Sequence, residues 1–155
     1  MVADEDEVWV VGDVAMGTLA DNLPLVGLLR GRKRLMAGNH DRCWAGKKGW
    51  EKWVDRYLEA GFEEIVQGPV ETRIGSRQVI VSHFPYAGDS QDRDRLTEQR
   101  PVDRGSWLLH GHVHEKWRTR DRMINVGVDV WDFRPVRSDV LADLMENGRR
   151  SGRER

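Results

Sequence analysis

A mixed α/β fold is what the sequence predicts. Residues 8–11, 35–37, 79–81 and 107–109 are short apolar runs that stop at Gly or polar residues, the pattern of buried strands. Helical spacing separates the first of them, and later runs follow with strands predominating, which together suggest two mixed sheets with helices. The first strand, 8–11, ends at Gly12-Asp13. Leu19, Leu23, Val26 and Leu29 then share one helical face, with Pro24 near the start of that helix. Residues 35–37 form the second strand and lead into Gly38-Asn39-His40-Asp41. Trp50, Trp53, Tyr57 and Leu58 mark a second amphipathic helix, stopped by Gly61. Residues 70–74 and 77–81 flank Gly75-Ser76, a two-residue hairpin signal. A long charged stretch over 88–105 precedes the strand at 107–109, and a last strand region spans 123–130.

With 155 residues and 39% hydrophobic residues, the chain has room for one buried core and is far from a disordered composition. A single domain is expected over 1–146, followed by a flexible basic tail over 147–155. No apolar run reaches the ~18 residues of a membrane span. The opening residues carry Asp4, Glu5, Asp6 and Glu7 and no base, so no secretory leader is expected and the location reads as cytoplasmic. A net charge of -1 gives no global basic field, which leaves nucleic acid as a partner only in the role of substrate. The lone Cys43 forbids an internal disulfide and a Cys-based zinc cluster, and reads as a small buried residue. The seven Trp are expected mostly in the core.

The chemistry lies in the histidines. His40, His83, His110, His112 and His114 each stand at or just after the C-terminal end of an apolar run. Ligands collect at the carboxyl ends of strands in α/β sheets. Imidazole, carboxylate and carboxamide suit a divalent transition metal. Gly12, Gly38 and Gly111 each precede such a position, where the lack of a Cβ permits close approach.

The blocks Gly12-Asp13, Gly38-Asn39-His40-Asp41, His83 and Gly111-His112-Val113-His114 resemble, in order and spacing, the calcineurin-like metallophosphoesterases. The stretch 124–133 resembles a small bacterial and phage branch of them. The resemblance covers roughly 8–136. It implies an αββα sandwich of two mixed sheets flanked by helices, here without its first strand. It implies hydrolysis of a phosphate mono- or diester, a small molecule or nucleotide, by a metal-bound hydroxide at two divalent ions (Mn, Fe, Zn or Co). Asp13 looks like the bridging carboxylate. Asn39, His83 and His112 look like the other ligands of one ion, and His114 like a ligand of the second. His40 looks like the general acid, Asp41 its orienting partner, and Arg42 a phosphate contact. No serine nucleophile motif or phosphate-binding P-loop competes with this reading.

The family pattern opens with Asp-x-His before the Gly-Asp block, and the sequence has none. One ion therefore has four protein ligands and the other only Asp13 and His114. An unrecorded upstream segment is the favoured explanation. The alternative is a catalytically impaired metal-binding relic or interaction module. Without an opening strand, 8–11 would form a bare apolar edge prone to association. His110 is expected packed or behind the ligands, Asn125 and Asp129 in a turn or supporting role. The segment 89–104 is expected as a solvated loop, with a substrate rim as its functional reading.

Overall fold

The computed structural model describes the backbone of residues 1–151 and the side chains of residues 1–147. The chain divides into two compact units, Met1–Gly68 and Pro69–Arg155, so the span expected as one domain contains two sheets, each with its own core. The class is mixed α/β. Among the described residues no helix is long and apolar enough to cross a membrane.

In the first unit, β1 (Glu7–Val10), β2 (Arg32–Met36) and β3 (Phe62–Val66) form a parallel sheet in that order. Parallel neighbours need crossovers, and helical segments supply both. The first is not one helix. A single turn, α1 (Leu19–Asn22), passes into a 3-10 segment over Leu23–Leu28 with Pro24 in its first turn, because Pro24 has no N–H to continue the α ladder. The second is α2 (Glu51–Glu59), which ends as expected at Gly61, where φ is 113°. Leu19, Leu23, Val26, Leu35, Tyr57 and Phe62 bury together with Cys43 in the core of this unit. The strand β3 was not expected. Its Glu63 and Glu64 are exposed and pair with Arg32 and Arg34 of β2, and this polar pair hides the apolar pattern of Phe62, Ile65 and Val66.

The second unit holds β4 (Val70–Ile74), β5 (Arg77–Val81), β6 (Trp107–His110), β7 (Thr119–Arg120) and β8 (Met123–Asn125), in the spatial order β4-β5-β6-β8-β7. The β4–β5 pair is the predicted hairpin, with Ile74 opposite Arg77. β5, β6 and β8 run parallel, and β7 turns back on β8. The last strand is shorter than the expected 123–130, because 3-10 geometry takes over at Val128–Val130. Val79, Val81, Leu108, Leu109 and Ile124 are buried with Leu141 and Met145, an i, i+4 pair on α3 (Ser138–Ser151). α3 runs on through 147–151, the first part of the expected tail, and 152–155 lie outside the described residues. Of the seven Trp only Trp107 is buried, against the expectation that most would be. The others are half-buried, several with an Arg or Lys over the indole face.

Candidate functional site

In the first unit the site grows from two parallel strand ends. β1 leads through Gly12 to Asp13, and both residues have left-handed backbone, with φ of 88° and 56°. Gly takes such a value freely, and Asp takes it more readily than most side chains but still at a cost. Asp41 holds it. Its Oδ2 accepts from the N–H of Asp13 at 2.8 Å and of Gly38 at 2.9 Å, and its Oδ1 accepts from Val14 N–H at 3.1 Å. In return, Asp13 Oδ1 accepts the N–H of His40 at 2.8 Å. Each loop is thus pinned by a carboxylate from the other. Asp41 is fully buried, and burial raises its carboxyl above the ordinary carboxylate value against the pull of the Gly38 N–H, with the charge of Asp13 adding to the rise. Asn39 is half-buried and His40 is exposed.

The hydrogen bonds of Asp41 in this structure serve the main chain, whereas an orienting role toward the His40 ring was expected of it. Among the described residues its carboxylate bonds three backbone N–H groups and no atom of that ring. Burial at the crossing of the two loops leaves the carboxylate to the backbone donors around it, which need an acceptor there. Arg42 is exposed. Its N–H donates to Tyr57 Oη at 3.0 Å, and its guanidinium lies 4.5 Å from the Trp53 ring centroid.

The second unit repeats the plan with imidazoles. β5 and β6 are parallel, so His83 and His112 follow strands that end on the same side. Gly111 N–H donates to the His83 carbonyl at 3.2 Å and ties the two ends. The His83 and His112 rings are 5.2 Å apart, each within 5.0 Å of the Phe84 ring. His112 and His114 have left-handed φ of 65° and 50°. Buried Asn125 keeps the loop there. Its Nδ2 donates to the carbonyls of His114 at 2.7 Å and Trp117 at 3.0 Å, and its Oδ1 accepts Gly127 N–H at 2.9 Å. Asn125 thus takes the turn role expected of it.

The His112 Nε2–H donates to Asp89 at 3.3 Å. Asp89 was foreseen only as part of a charged loop, yet it is buried. Burial alone would push its carboxyl up, but the Arg95 guanidinium and the N–H groups of Gln91 and Arg95 outweigh that, with His112 adding, and hold it well below the usual carboxylate range. The segment is a largely solvated loop with a buried anchor. The only sequence signal was its place directly after His83, with Arg95 and Arg100 following. His110 is fully buried against Trp117, donates its Nδ1–H to the Gly111 carbonyl at 2.7 Å, and is pushed down to about 4 by burial. It is a packed, neutral residue. Cys43 is buried as expected.

In donor chemistry these residues fit a divalent transition ion. One carboxylate and one carboxamide lie in the first unit, and three imidazoles in the second. Among the described residues, no three His, Cys, Asp or Glu side chains form a group that could hold a metal ion.

No family model matches the chain. It is 34% identical over 160 residues to the Gene 66 protein of Mycobacterium phage L5, covering 95% of this chain and 76% of that protein. It is 35% identical to the Gene 66 protein of Mycobacterium phage D29, covering 84% of this chain and 70% of that protein. In fold it is similar to the crystal structure of AQ665, a protein of unknown function from Aquifex aeolicus, with a TM-score of 0.58 and 24% identity over 92% of this chain and 78% of that one.

Proposed function

We propose that this chain, which belongs to the Gene 66 protein family of mycobacteriophages, is a metal-dependent phosphoesterase with a calcineurin-like arrangement of its sheets. One observation carries the reading. The candidate ligands follow the C-terminal ends of parallel strands, Asp13 and Asn39 after β1 and β2, and His83, His112 and His114 after β5 and β6, where α/β sheets collect their ligands.

In this reading Asp13 and Asn39 of the first unit and His83, His112 and His114 of the second are the residues that would hold divalent ions. When bound, the ions supply positive charge to the phosphoryl oxygens and activate water. The chain's own part is preorganisation. Asp41 fixes Asp13, Asn125 fixes the His114 loop, and Asp89 orients the His112 ring, as a carboxylate behind a ligating imidazole does. His40, exposed beside Asp13, delivers a proton to the leaving oxygen. Arg42 has an exposed guanidinium to meet a phosphate oxygen.

The test is metal counting together with hydrolysis of bis-p-nitrophenyl phosphate in manganese. Two ions per chain and turnover, both lost in Asp13→Ala, are the expected result. His40→Ala keeps the metal and loses turnover. The second reading, a metal-binding relic or interaction module, is favoured by the missing Asp-x-His and the absence of a three-residue His, Cys, Asp or Glu group among the described residues. One ion and no turnover would establish it over the first.

A further inference from the structure

The half-buried Trp53 on α2 carries an unusual load of cations. The guanidinium of Arg42 lies 4.5 Å from its ring centroid, that of Arg56 4.9 Å, and the Lys52 ammonium 6.0 Å. All three side chains belong to exposed residues, and among the described residues none is paired with a carboxylate. Arginines elsewhere in the same unit are paired: Arg32 with Glu63, and Arg34 with Glu7 and Glu64. Residues 42–56 hold Arg42, Lys47, Lys48, Lys52 and Arg56 against Glu51 and Asp55, in a chain whose net charge is -1. On α2 the acids Glu51, Asp55 and Glu59 keep to one i, i+4 row and Lys52 with Arg56 to the next, so the cations have a row of their own.

An indole beneath guanidinium groups fixes them in place and leaves their N–H edges facing outward. Such an array is built for several anionic groups in succession. The three cations gather within 6.0 Å of one ring centroid, and two guanidiniums with an ammonium offer more N–H donors than the two free oxygens of one phosphodiester can accept. The planar fork of Arg matches phosphate oxygens two at a time.

We propose that the Arg42–Lys52–Arg56 face over Trp53 binds the phosphate backbone of a single nucleic acid strand, which makes a polynucleotide diester the substrate class of this protein. The substrate assignment rests on the phosphoesterase reading; the binding itself does not.

The experiment uses the full chain in EDTA and fluorescence anisotropy of a labelled oligodeoxynucleotide of about 20 residues. The expected result is binding that weakens as salt rises from 50 to 200 mM. In Lys52→Gln/Arg56→Gln, affinity falls about tenfold, and the magnitude of the slope of log affinity against log salt falls by about 1.4, two phosphate contacts on a single strand. Arg32→Gln, a paired arginine of the same unit, leaves both unchanged. Absence of binding by the wild-type chain, or wild-type affinity in the double variant, overturns the proposal. Equal competition by poly-glutamate also overturns it, in favour of an acidic protein partner. Turnover of bis-p-nitrophenyl phosphate by the wild-type chain in manganese is read alongside. Strand binding without turnover removes the phosphoesterase reading alone, and turnover without strand binding removes this inference alone.

Discussion

The buried carboxylate of Asp41 accepts the backbone N–H of Asp13 at 2.8 Å, and that bond keeps Asp13 in left-handed backbone at the end of β1. Asp41 also serves Val14 and Gly38, so a single side chain satisfies three main-chain donors. Asp41→Asn replaces one acceptor oxygen with an NH2 that faces those donors. A loss of about 3 kcal/mol is expected, the scale of breaking charge-assisted bonds and stranding buried donors. Urea unfolding measures it. A loss below roughly 1 kcal/mol, the size of one ordinary hydrogen bond, would show that the loops hold without the carboxylate.

Asn125 plays the corresponding part in the second unit. Its side chain bridges the carbonyls of His114 and Trp117 and the N–H of Gly127. Asn125→Ala strands two carbonyls and one N–H around a fully buried position. The expected cost is about 2 kcal/mol, with faster amide exchange at Gly127. Asn125→Asp keeps the acceptor for Gly127 but loses both donated bonds, so it should protect Gly127 while still lowering the thermal midpoint.

The sequence made legible whatever local chemistry controls. The Gly75-Ser76 hairpin, the strand ends before Asp13 and Asn39, and the stop of α2 at Gly61 follow from turn residues and apolar runs that act over a few positions. β3 was hidden because Glu63 and Glu64 interrupt its apolar pattern, and only their pairing with Arg32 and Arg34 on the neighbouring strand explains them. The candidate ligands were legible as residue types at strand ends. What fixes them was not. The bond from Asp13 N–H to Asp41 spans 28 positions, and that from His112 to Asp89 spans 23, distances over which sequence carries no periodic signal. The Trp residues misled for a related reason. An indole reads as core, yet its face also serves exposed guanidinium groups, as at Trp53 and Trp131.

β1 has β2 on one side and, among the described residues, no strand on the other. Its half-buried Val8 and Val10 alternate with Glu7 and Trp9, and neither Lys nor Pro guards the strand itself. An apolar edge of this kind pairs with a second chain. Sedimentation velocity over a rising concentration series is expected to show reversible association, weakened by low urea before the units unfold. A monodisperse monomer across the series would show that the edge is covered.

Cys43 is fully buried in the core of the first unit, and burial pushes its thiol up from 9.0 to about 12, with the nearby Asp41 carboxylate adding to the rise. Only the thiolate reacts with alkylating and disulfide reagents. At pH 8 the folded chain should therefore leave Cys43 unlabelled, while the urea-unfolded chain labels at the rate of an ordinary thiol. The sign of the linked stability follows. The unfolded thiol gives up its proton first, so this contribution to folding is complete below pH 9.0 and is lost as pH climbs toward about 12. Cys43→Ala removes that decline along with the thiol, at the cost of a small cavity, and leaves the rest of the pH profile in place. Rapid labelling of the native chain at pH 8 would show that the core around Cys43, Leu35 and Tyr57 opens far more readily than its packing implies.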